Sequence, residues 1–290
     1  MPFRHEFVSA KADGGDTTKV RPLSNWNDDH VMAVYDGVPS GAANSQVWFS
    51  ELPEHTVDGN TMGLWHLHNR VWTDGTDNDY DLTTYNAPTF VNGGASFVAS
   101  SVGAFSQWAK ATTFPNIRGK TQFTNEAWLY LTSNLVNNDY RPISAQYYNT
   151  RLRLYKTGGT TKLEGYAYAS VTGLVTVTYT FPADPATMTW HHAAMTYEVN
   201  AASGAKLWWG GSNVKRSAGT TPNEEFKFTS TGLWVARDAD NYSWNGYLDE
   251  IRFSDTVRYA ALFTPTRASN PILRAKRSGV IYQTVLETMP

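Results

Sequence analysis

The heptapeptide Leu174-Val-Thr-Val-Thr-Tyr-Thr180 alternates apolar and hydroxyl side chains, with its valines and tyrosine on one face and its inner threonines on the other. Arg151-Leu-Arg-Leu-Tyr155 alternates in the same way, with leucines opposite arginines. A period of two is typical of a β-strand that is buried on one side only. Both stretches therefore predict sheets with one face against a core.

Further stretches of strand composition lie on either side, separated by turns rich in Gly and Asn. They are 63–68, 95–99, 125–132, 162–169, 190–197, 205–209, 232–236, 247–254 and 280–285. Many short strands with few helical windows predict an all-β fold, an antiparallel β-sandwich or jelly roll with extended N- and C-terminal arms. One short helical turn is predicted at 256–263.

The amino-acid composition argues against several classes of protein. The chain has 290 residues and no Cys, which excludes disulfides, thiolate metal sites and a Cys nucleophile. The net charge of −2 argues against nucleic acid as a partner. No apolar run is long enough for membrane insertion, and the N-terminus lacks the apolar core of an export signal.

Charge and apolar content divide the chain into three parts. Residues 1–58 hold four basic and nine acidic residues with scattered apolar anchors, whereas residues 265–290 hold four basic and one acidic. We therefore predict an N-terminal arm at 1–58, a jelly roll at 59–266 that folds without the arms, and a C-terminal arm at 267–290. Two explanations of the charge difference stay open. One is chance variation in short segments, and the other is contact between the oppositely charged arms, within one chain or between neighbouring copies.

Four segments carry a resemblance. They are Gly63-Leu-Trp-His-Leu67, Asn125-Glu-Ala-Trp-Leu-Tyr-Leu131, Trp190-His-His-Ala-Ala-Met-Thr-Tyr197 and Gly246-Tyr-Leu-Asp-Glu-Ile-Arg-Phe253. In this order they resemble the laminin-G-like (concanavalin A-like) jelly-roll domain. The resemblance implies two packed antiparallel sheets, and glycan or protein binding rather than catalysis.

The N-terminal arm carries a second resemblance. Lys11-Ala-Asp-Gly-Gly-Asp-Thr-Thr-Lys-Val-Arg-Pro22 and Asn25-Trp-Asn-Asp-Asp-His30 resemble the start of tailed-bacteriophage virion proteins, tail fibres above all, although Leu23 interrupts the pattern. Residues 257–265 resemble the end of phage-borne jelly rolls. These resemblances imply a virion protein made in the host cytoplasm, attached to other virion proteins through Lys19, Val20, Pro22 and Trp26. Fibres with this leader are commonly trimeric, which implies a homotrimer.

The sequence predicts no enzyme. Retaining glucanases on related jelly rolls place their acids as Glu-x-Asp-x-x-Glu on one strand, which brings two carboxyl groups to about 5 Å from each other. Here Glu250 is followed at that interval by Asp255, and Arg252 stands where the middle acid belongs. No cofactor is required by any motif.

Aromatic and amide side chains near the closing strand are the candidate glycan site. Aromatic rings stack on sugars, and Asp or Asn side chains bind hydroxyl groups. Trp208 is expected to face outward beside Lys206, whereas Leu207 and Trp209 face the core. The candidates are Trp208, Asp240, Asn241, Tyr242 and Trp244. The alternative is that these residues are covered by an arm or a neighbouring subunit.

Three groups of residues are candidate metal ligands. Asp74, Asp77, Asp79 and Asp81 are hard oxygen donors of the kind that Ca²⁺ takes, and a solvated turn is the alternative. His66 and His68 share a strand face, but the sequence offers no evident third ligand for zinc. Asp249 is expected on the face of Ile251 and Phe253, either accepting hydrogen bonds or binding a cation.

The sequence thus predicts a phage tail fibre or receptor-binding appendage that contacts host surface glycan through its jelly roll. A capsid decoration protein is the alternative. A polysaccharide-cleaving enzyme is the third hypothesis.

Overall fold

The computed structural model describes residues 55–91, 93–99, 106–146, 148–227 and 231–267, and the backbone of strands at 47–50, 272–277 and 280–285. The strands are β1 (Val47–Ser50), β2 (Thr61–Trp65), β3 (Leu82–Tyr85), β4 (Thr89–Val91), β5 (Gly94–Phe97), β6 (Trp108–Ala111), β7 (Gln122–Tyr130), β8 (Tyr140–Gln146), β9 (Thr150–Thr157), β10 (Thr160–Ala169), β11 (Gly173–Thr180), β12 (Trp190–Glu198), β13 (Ala205–Trp209), β14 (Ser212–Arg216), β15 (Leu233–Val235), β16 (Gly246–Ser254), β17 (Ile272–Arg277) and β18 (Val280–Val285). A 3₁₀ turn spans Leu67–Asn69. Within the described ranges no helix is long and apolar enough to cross a bilayer.

Two large antiparallel sheets form a sandwich. One sheet has seven strands in the order β11-β10-β9-β8-β15-β6-β3. The other has eight, in the order β14-β13-β12-β7-β16-β5-β4 with β2 paired to β16. The apolar core lies between them. A Cβ added to Gly165 of the first sheet would lie 2.5 Å from Met195 Sδ of the second, so the sheets are closely packed here. The predicted all-β antiparallel sandwich is confirmed.

The chain divides into two units. The first contains a three-stranded sheet of order β1-β17-β18, and the second contains the sandwich. The strand predicted at 280–285 is β18, and its neighbour in the small sheet is β17.

The helical turn predicted at 256–263 is wrong. This segment has no helical residues and runs across the outer face of the eight-stranded sheet. The backbone amides of Val257 and Arg258 donate to the side chains of Gln122 and Thr124, so they are paired to the sheet instead of to a helical turn. Tyr259 and Phe263 stack with ring centroids 3.6 Å apart. The segment therefore covers the sheet with a pair of aromatic rings.

A bulge in the closing strand β16 changes which residues face the core. The register shifts between Asp249 and Arg252, and Glu250 has a left-handed backbone with φ of 49°. Because one extra residue resets the alternation, Ile251 lies in the core whereas Asp249 and Glu250 both face away from it. The expectation that Asp249 shares the face of Ile251 and Phe253 is therefore wrong.

The outer face of the eight-stranded sheet buries a carboxylate. Glu126 is fully buried, and its Oε1 lies 2.7 Å from Arg252 Nε. Its Oε2 accepts a 2.5 Å bond from the Tyr259 hydroxyl and lies 2.9 Å from His192 Nε2. His55 Nε2 lies 3.6 Å from the same oxygen. Burial acts to raise the pKa of Glu126, but the adjoining histidines and Arg252 outweigh burial and keep it below its usual range.

We expect His55 to make the protein less stable in mild acid. Burial lowers the pKa of His55 from 6.5 to about 4. In the unfolded chain His55 is therefore protonated as the pH falls below about 6.5, whereas in the folded chain it is protonated only near pH 4. Linkage then predicts that this group removes about 3 kcal/mol from the free energy of unfolding as the pH falls through this window. Urea titrations of the native chain and His55→Gln at pH 7 and pH 4 measure it. Equal losses of stability in the two proteins would contradict the prediction.

Candidate functional site

The outward face of the seven-stranded sheet carries aromatic and charged side chains across most of its width. We call this the aromatic face. It comprises Tyr85, Trp108, Lys110, Tyr140, Arg151, Arg153, Tyr155, Glu164, Tyr166 and Trp234, with Asp240 and Tyr242 from the loop between β15 and β16. The antiparallel register keeps them together, since residues paired across strands share a face.

Arg151 occupies the centre of the aromatic face and binds three carboxylates. Its Nη1 lies 2.9 Å from Asp238 Oδ2 and 2.8 Å from Asp240 Oδ2. Its Nη2 lies 3.2 Å from Glu164 Oε1, and the guanidinium covers the Tyr166 ring at 4.7 Å. Because Arg151 itself is nearly buried, these contacts fix its position before any ligand arrives.

Tyrosine rings enclose a second arginine. Arg153 lies 4.9 Å from the Tyr140 ring and 5.0 Å from the Tyr155 ring, and its Nη2 is 2.8 Å from Glu164 Oε1. The Tyr140 ring also stacks on Tyr242, with centroids 4.4 Å apart. This row of stacked rings ends at the surface, where Tyr242 is 38% exposed.

Asp238 holds the loop that carries the exposed residues. Its Oδ1 accepts hydrogen bonds from the backbone amides of Asp240 and Tyr242, both at 3.1 Å. Asn241, at the tip, has a left-handed backbone with φ of 65° and accepts a bond from Arg237. Burial raises the pKa of Asp238, an effect that Arg151 opposes. The loop is therefore anchored at its base and open at its tip.

A second aromatic group lies towards the β3 edge of the same face. Tyr85 and Trp108 stack with centroids 3.7 Å apart and an interplanar angle of 3°. Trp234 lies edge-on to Trp108 at 6.4 Å, and Arg237 covers Trp108 at 4.7 Å. Since Arg237 also bonds Asn241, the loop connects the two groups of rings.

The predicted glycan residues divide into two sets. Asp240, Asn241 and Tyr242 lie together at the tip of one loop on the aromatic face, and the Asp240 side chain is 48% exposed. Trp208 and Trp244 are fully buried, so the expectation that they stack on sugar is wrong.

The two tryptophans are buried in different ways. Trp208 does point away from the core, as predicted, but Tyr259 and Phe263 cover it, both at 5.8 Å, and its Nε1 donates to Thr196 Oγ1. Trp244 follows the anchored loop, where its amide donates to the Ala236 carbonyl, and its ring packs in the core.

The aspartate loop organises itself through hydrogen bonds. Asp74 accepts bonds from the amides of Leu64, Thr76 and Tyr80 and from the Thr76 hydroxyl. Asp81 accepts from the Asp74 amide. Asp77, Asp79 and Asp81 are exposed. Calcium binding by these residues stays a prediction, and an ion at Asp74 would have to replace bonds within the loop.

The predicted attachment residues Lys19, Val20, Pro22 and Trp26 lie outside the described residues. Virion attachment through them stays a prediction.

Sequence reasoning missed Arg151, Arg153 and Glu164 as members of the site. One signal was present, because arginines alternate with core leucines on β9. Arginines on the solvent side of a strand are common and do not by themselves indicate a site. Here the site is formed by their ion pairs with Glu164 of β10 and, for Arg151, with Asp238 of the loop. That pairing depends on strand order, which alternation does not specify.

This arrangement has the chemistry of a polar ligand site with a flat hydrophobic component. An exposed ring at Tyr242 offers an apolar surface, and the adjacent Asp240 carboxylate offers hydrogen-bond acceptors. Arg151 beneath it holds the carboxylate in place.

Solved structures share the fold at low sequence identity. The binding domain of botulinum neurotoxin DC, in complex with SialylT, superposes with a TM-score of 0.53 and 8% identity over 68% of this chain and 48% of that one. The same domain in complex with rat synaptotagmin II gives 0.52 and 8% over 69% and 49%. The chain thus spans about half of these domains. Domain 4 of the arabinanase AbnA from Geobacillus stearothermophilus, in complex with arabinotriose, gives 0.47 and 15% over 67% and 92%.

No curated protein matches the chain by sequence. The profile of one family does: that of the concanavalin A-like lectin/glucanases superfamily, a laminin-G-type family, which matches residues 102–261. The match covers β6 to β16, more than half of the chain, and includes most of the aromatic face. The chain therefore belongs to the concanavalin A-like lectin/glucanases superfamily.

Proposed function

We propose that this protein is a glycan-binding module of a phage virion, in a tail fibre or receptor-binding appendage, and that the aromatic face is its binding surface. The observation that carries the proposal is the exposed Tyr242–Asp240 pair, which stacked tyrosines and Arg151 hold in place. A sugar ring stacks on Tyr242, and its hydroxyl groups bond to Asp240 and to Asn241.

The fold supports a binding role. The neurotoxin domain that superposes at a TM-score of 0.53 was solved in complex with SialylT, and a second structure of it was solved with a protein, rat synaptotagmin II. This sandwich architecture is thus compatible with either class of ligand. Stacked rings beside fixed carboxylates favour a glycan here.

The charges of the aromatic face favour binding without cleavage. Glu164, Asp238 and Asp240 each have a guanidinium partner within 3.2 Å. A glycosidase needs one carboxylate free to attack or activate water and one carboxyl group able to donate a proton. Three carboxylates that share two arginines serve instead as fixed hydrogen-bond acceptors.

The virion part of the proposal is supported by the leader at 11–30, which resembles the start of phage tail fibres. A capsid decoration protein is the second candidate, since arms of opposite charge also suit attachment to a shell.

We expect Tyr242→Ala to weaken glycan binding by about tenfold, the equivalent of the 1.4 kcal/mol or so that one aromatic stack contributes. The full-length protein is first screened on an array of bacterial surface polysaccharides, and the best ligand is then titrated by calorimetry. The matched control is Tyr130→Ala, which removes a half-buried tyrosine from the outer face of the other sheet and should leave the affinity unchanged.

The same samples test catalysis. Polysaccharide incubated with the protein should keep its length and gain no reducing ends. Failure to bind any polysaccharide, or equal losses in the two variants, would contradict the glycan site; steady release of reducing ends would contradict the binding-only role.

We expect the full-length chain to be a trimer and a chain lacking residues 1–58 to be smaller. The arm contains Phe3, Phe7, Trp26, Trp48 and Phe49, and each apolar side chain left in water forgoes about 1.5–3 kcal/mol of burial. Exchange of arms between copies would cover them in a closed assembly. Light scattering measures both masses. A full-length monomer at tens of micromolar would contradict arm exchange and favour the decoration protein.

Labelling of the parent phage locates the protein. We expect gold-tagged antibody against the sandwich to mark the tail in electron micrographs, because receptor binding takes place there. Label distributed over the capsid shell would establish the decoration role instead.

A further inference from the structure

His66 and His68 each contact the closing strand β16 through the Nδ1 atom of its own imidazole ring. His66 Nδ1 lies 2.7 Å from Glu250 Oε1, and His68 Nδ1 lies 3.2 Å from that same oxygen. His68 Nδ1 is also 3.0 Å from Asp249 Oδ1. Two imidazoles thus converge on one carboxylate oxygen, with a second carboxylate beside it.

Two features of the backbone produce this convergence. The 3₁₀ turn Leu67–Asn69 begins directly after His66, and it brings the His68 amide to Asp249 Oδ1 at 3.0 Å. Across from it, the bulge at Glu250 turns two consecutive carboxylates to the same side of β16. An ordinary strand would have sent one of them into the core.

The donor spacing fits a small tetrahedral ion. Zinc binds imidazole nitrogen and carboxylate oxygen at about 2.0–2.1 Å, which places neighbouring donors about 3.3 Å apart in a tetrahedron. The donor atoms of His66, His68 and Glu250 all lie within 4.8 Å of one another. Small side-chain movements would therefore bring them to the ligand distances.

A second cluster, His55, Glu126 and His192, meets the same spacing but has the wrong electrostatics. Its carboxylate is already bonded to Arg252 and Tyr259, and the guanidinium would repel a cation. In the first cluster the guanidinium of Arg267 lies against Asp249 Oδ2 at 3.1 Å, which is not one of the three ligands. Glu250 Oε2 accepts a hydrogen bond from the His55 amide, and Glu250 Oε1 is the oxygen that faces the two histidines.

Access to the first cluster is from solvent past His66. The His66 side chain is 16% exposed and that of His68 is 7% exposed, whereas Glu250 is fully buried. The partial exposure of His66 gives an ion a route from solvent towards the buried carboxylate.

We infer that His66, His68 and Glu250 form a binding site for a divalent transition metal of the zinc class, with a fourth position open to water. Two imidazoles with one carboxylate select Zn²⁺ and its neighbours over Ca²⁺ and Mg²⁺, which prefer all-oxygen sets. Each ring binds as a neutral imidazole: a ring that is imidazolium before binding releases its Nδ1 proton to solvent, and a ring that is the neutral Nδ1–H tautomer carries its proton on Nε2 instead. Asp249 keeps its bonds to the His68 amide and Arg267. The ion would tie the end of β2 to the closing strand, on the sheet opposite the aromatic face.

The test is titration of the chelator-treated full-length chain with Zn²⁺, followed by calorimetry and thermal unfolding. We expect one ion per chain and, at a hundredfold excess over Kd, a Tm higher by about 5 °C. Co²⁺ in place of Zn²⁺ should give the intense visible absorption of a four-coordinate site. Ca²⁺ at the same concentration should neither displace Zn²⁺ from this site nor weaken the Co²⁺ absorption.

His66→Asn removes one of the three ligands, so it should weaken Zn²⁺ binding by more than the roughly 10–100-fold typical of losing an outer-shell partner, and it should abolish the Co²⁺ spectrum. His191→Asn is the matched control, because His191 is a partly exposed histidine of the same sheet whose Nε2 bonds to the Ala186 carbonyl, and it should bind as the native chain does. Circular dichroism verifies that each variant is folded, and Glu250→Gln provides a second ligand variant.

No Zn²⁺ or Co²⁺ binding by the native chain, or binding that His66→Asn leaves unchanged, would overturn the inference. Displacement of bound Zn²⁺ or Co²⁺ by Ca²⁺ at equal concentration would overturn it as well. Since glycan binding is measured on the other sheet, failure of one proposal leaves the other standing.

Discussion

Glu126 carries a charge at a position without access to water, and the organisation of the eight-stranded sheet depends on its neutralisation. A buried carboxylate is tolerated only when cations and hydrogen-bond donors surround it. Arg252 supplies the cation from β16, and Tyr259 supplies a hydroxyl group from the segment that crosses the sheet. Because Tyr259 bonds Glu126 while its ring stacks on Phe263, the same contact fastens the covering segment that buries Trp208.

The strands were largely predictable because alternation is a local property. Arg151–Tyr155 and Leu174–Thr180 needed no information about distant parts of the chain, and both lie in strands that the structure confirms. Trp208 was different: its outward direction followed from alternation, but its burial depends on Tyr259 and Phe263 some fifty residues later. Direction is a local property of a strand, whereas exposure depends on tertiary packing.

The bulge at Glu250 marks another limit. A strict period of two places Asp249 on the same face as Ile251 and Phe253. The residues Asp-Glu-Ile-Arg contain no signal from which the left-handed backbone of Glu250 could be predicted. A bulge is stabilised by what it brings together, here the carboxylates against His66 and His68. For the aromatic face, the sequence named Asp240, Asn241 and Tyr242 as candidates by composition, and the structure places them on one loop. The sequence could not identify Arg151 beneath them, since that contact joins strands far apart in sequence.

The anchoring of the loop by Asp238 separates the surface that meets a ligand from the frame that supports it. One buried carboxylate oxygen holds the amides of Asp240 and Tyr242, and such backbone bonds do not depend on which side chains those positions carry. The tip can therefore exchange its side chains with little effect on the core, provided that Asp238 and Arg151 are kept. Such a loop can change its side chains while the sandwich remains the same, so that surface chemistry and fold can evolve at different rates.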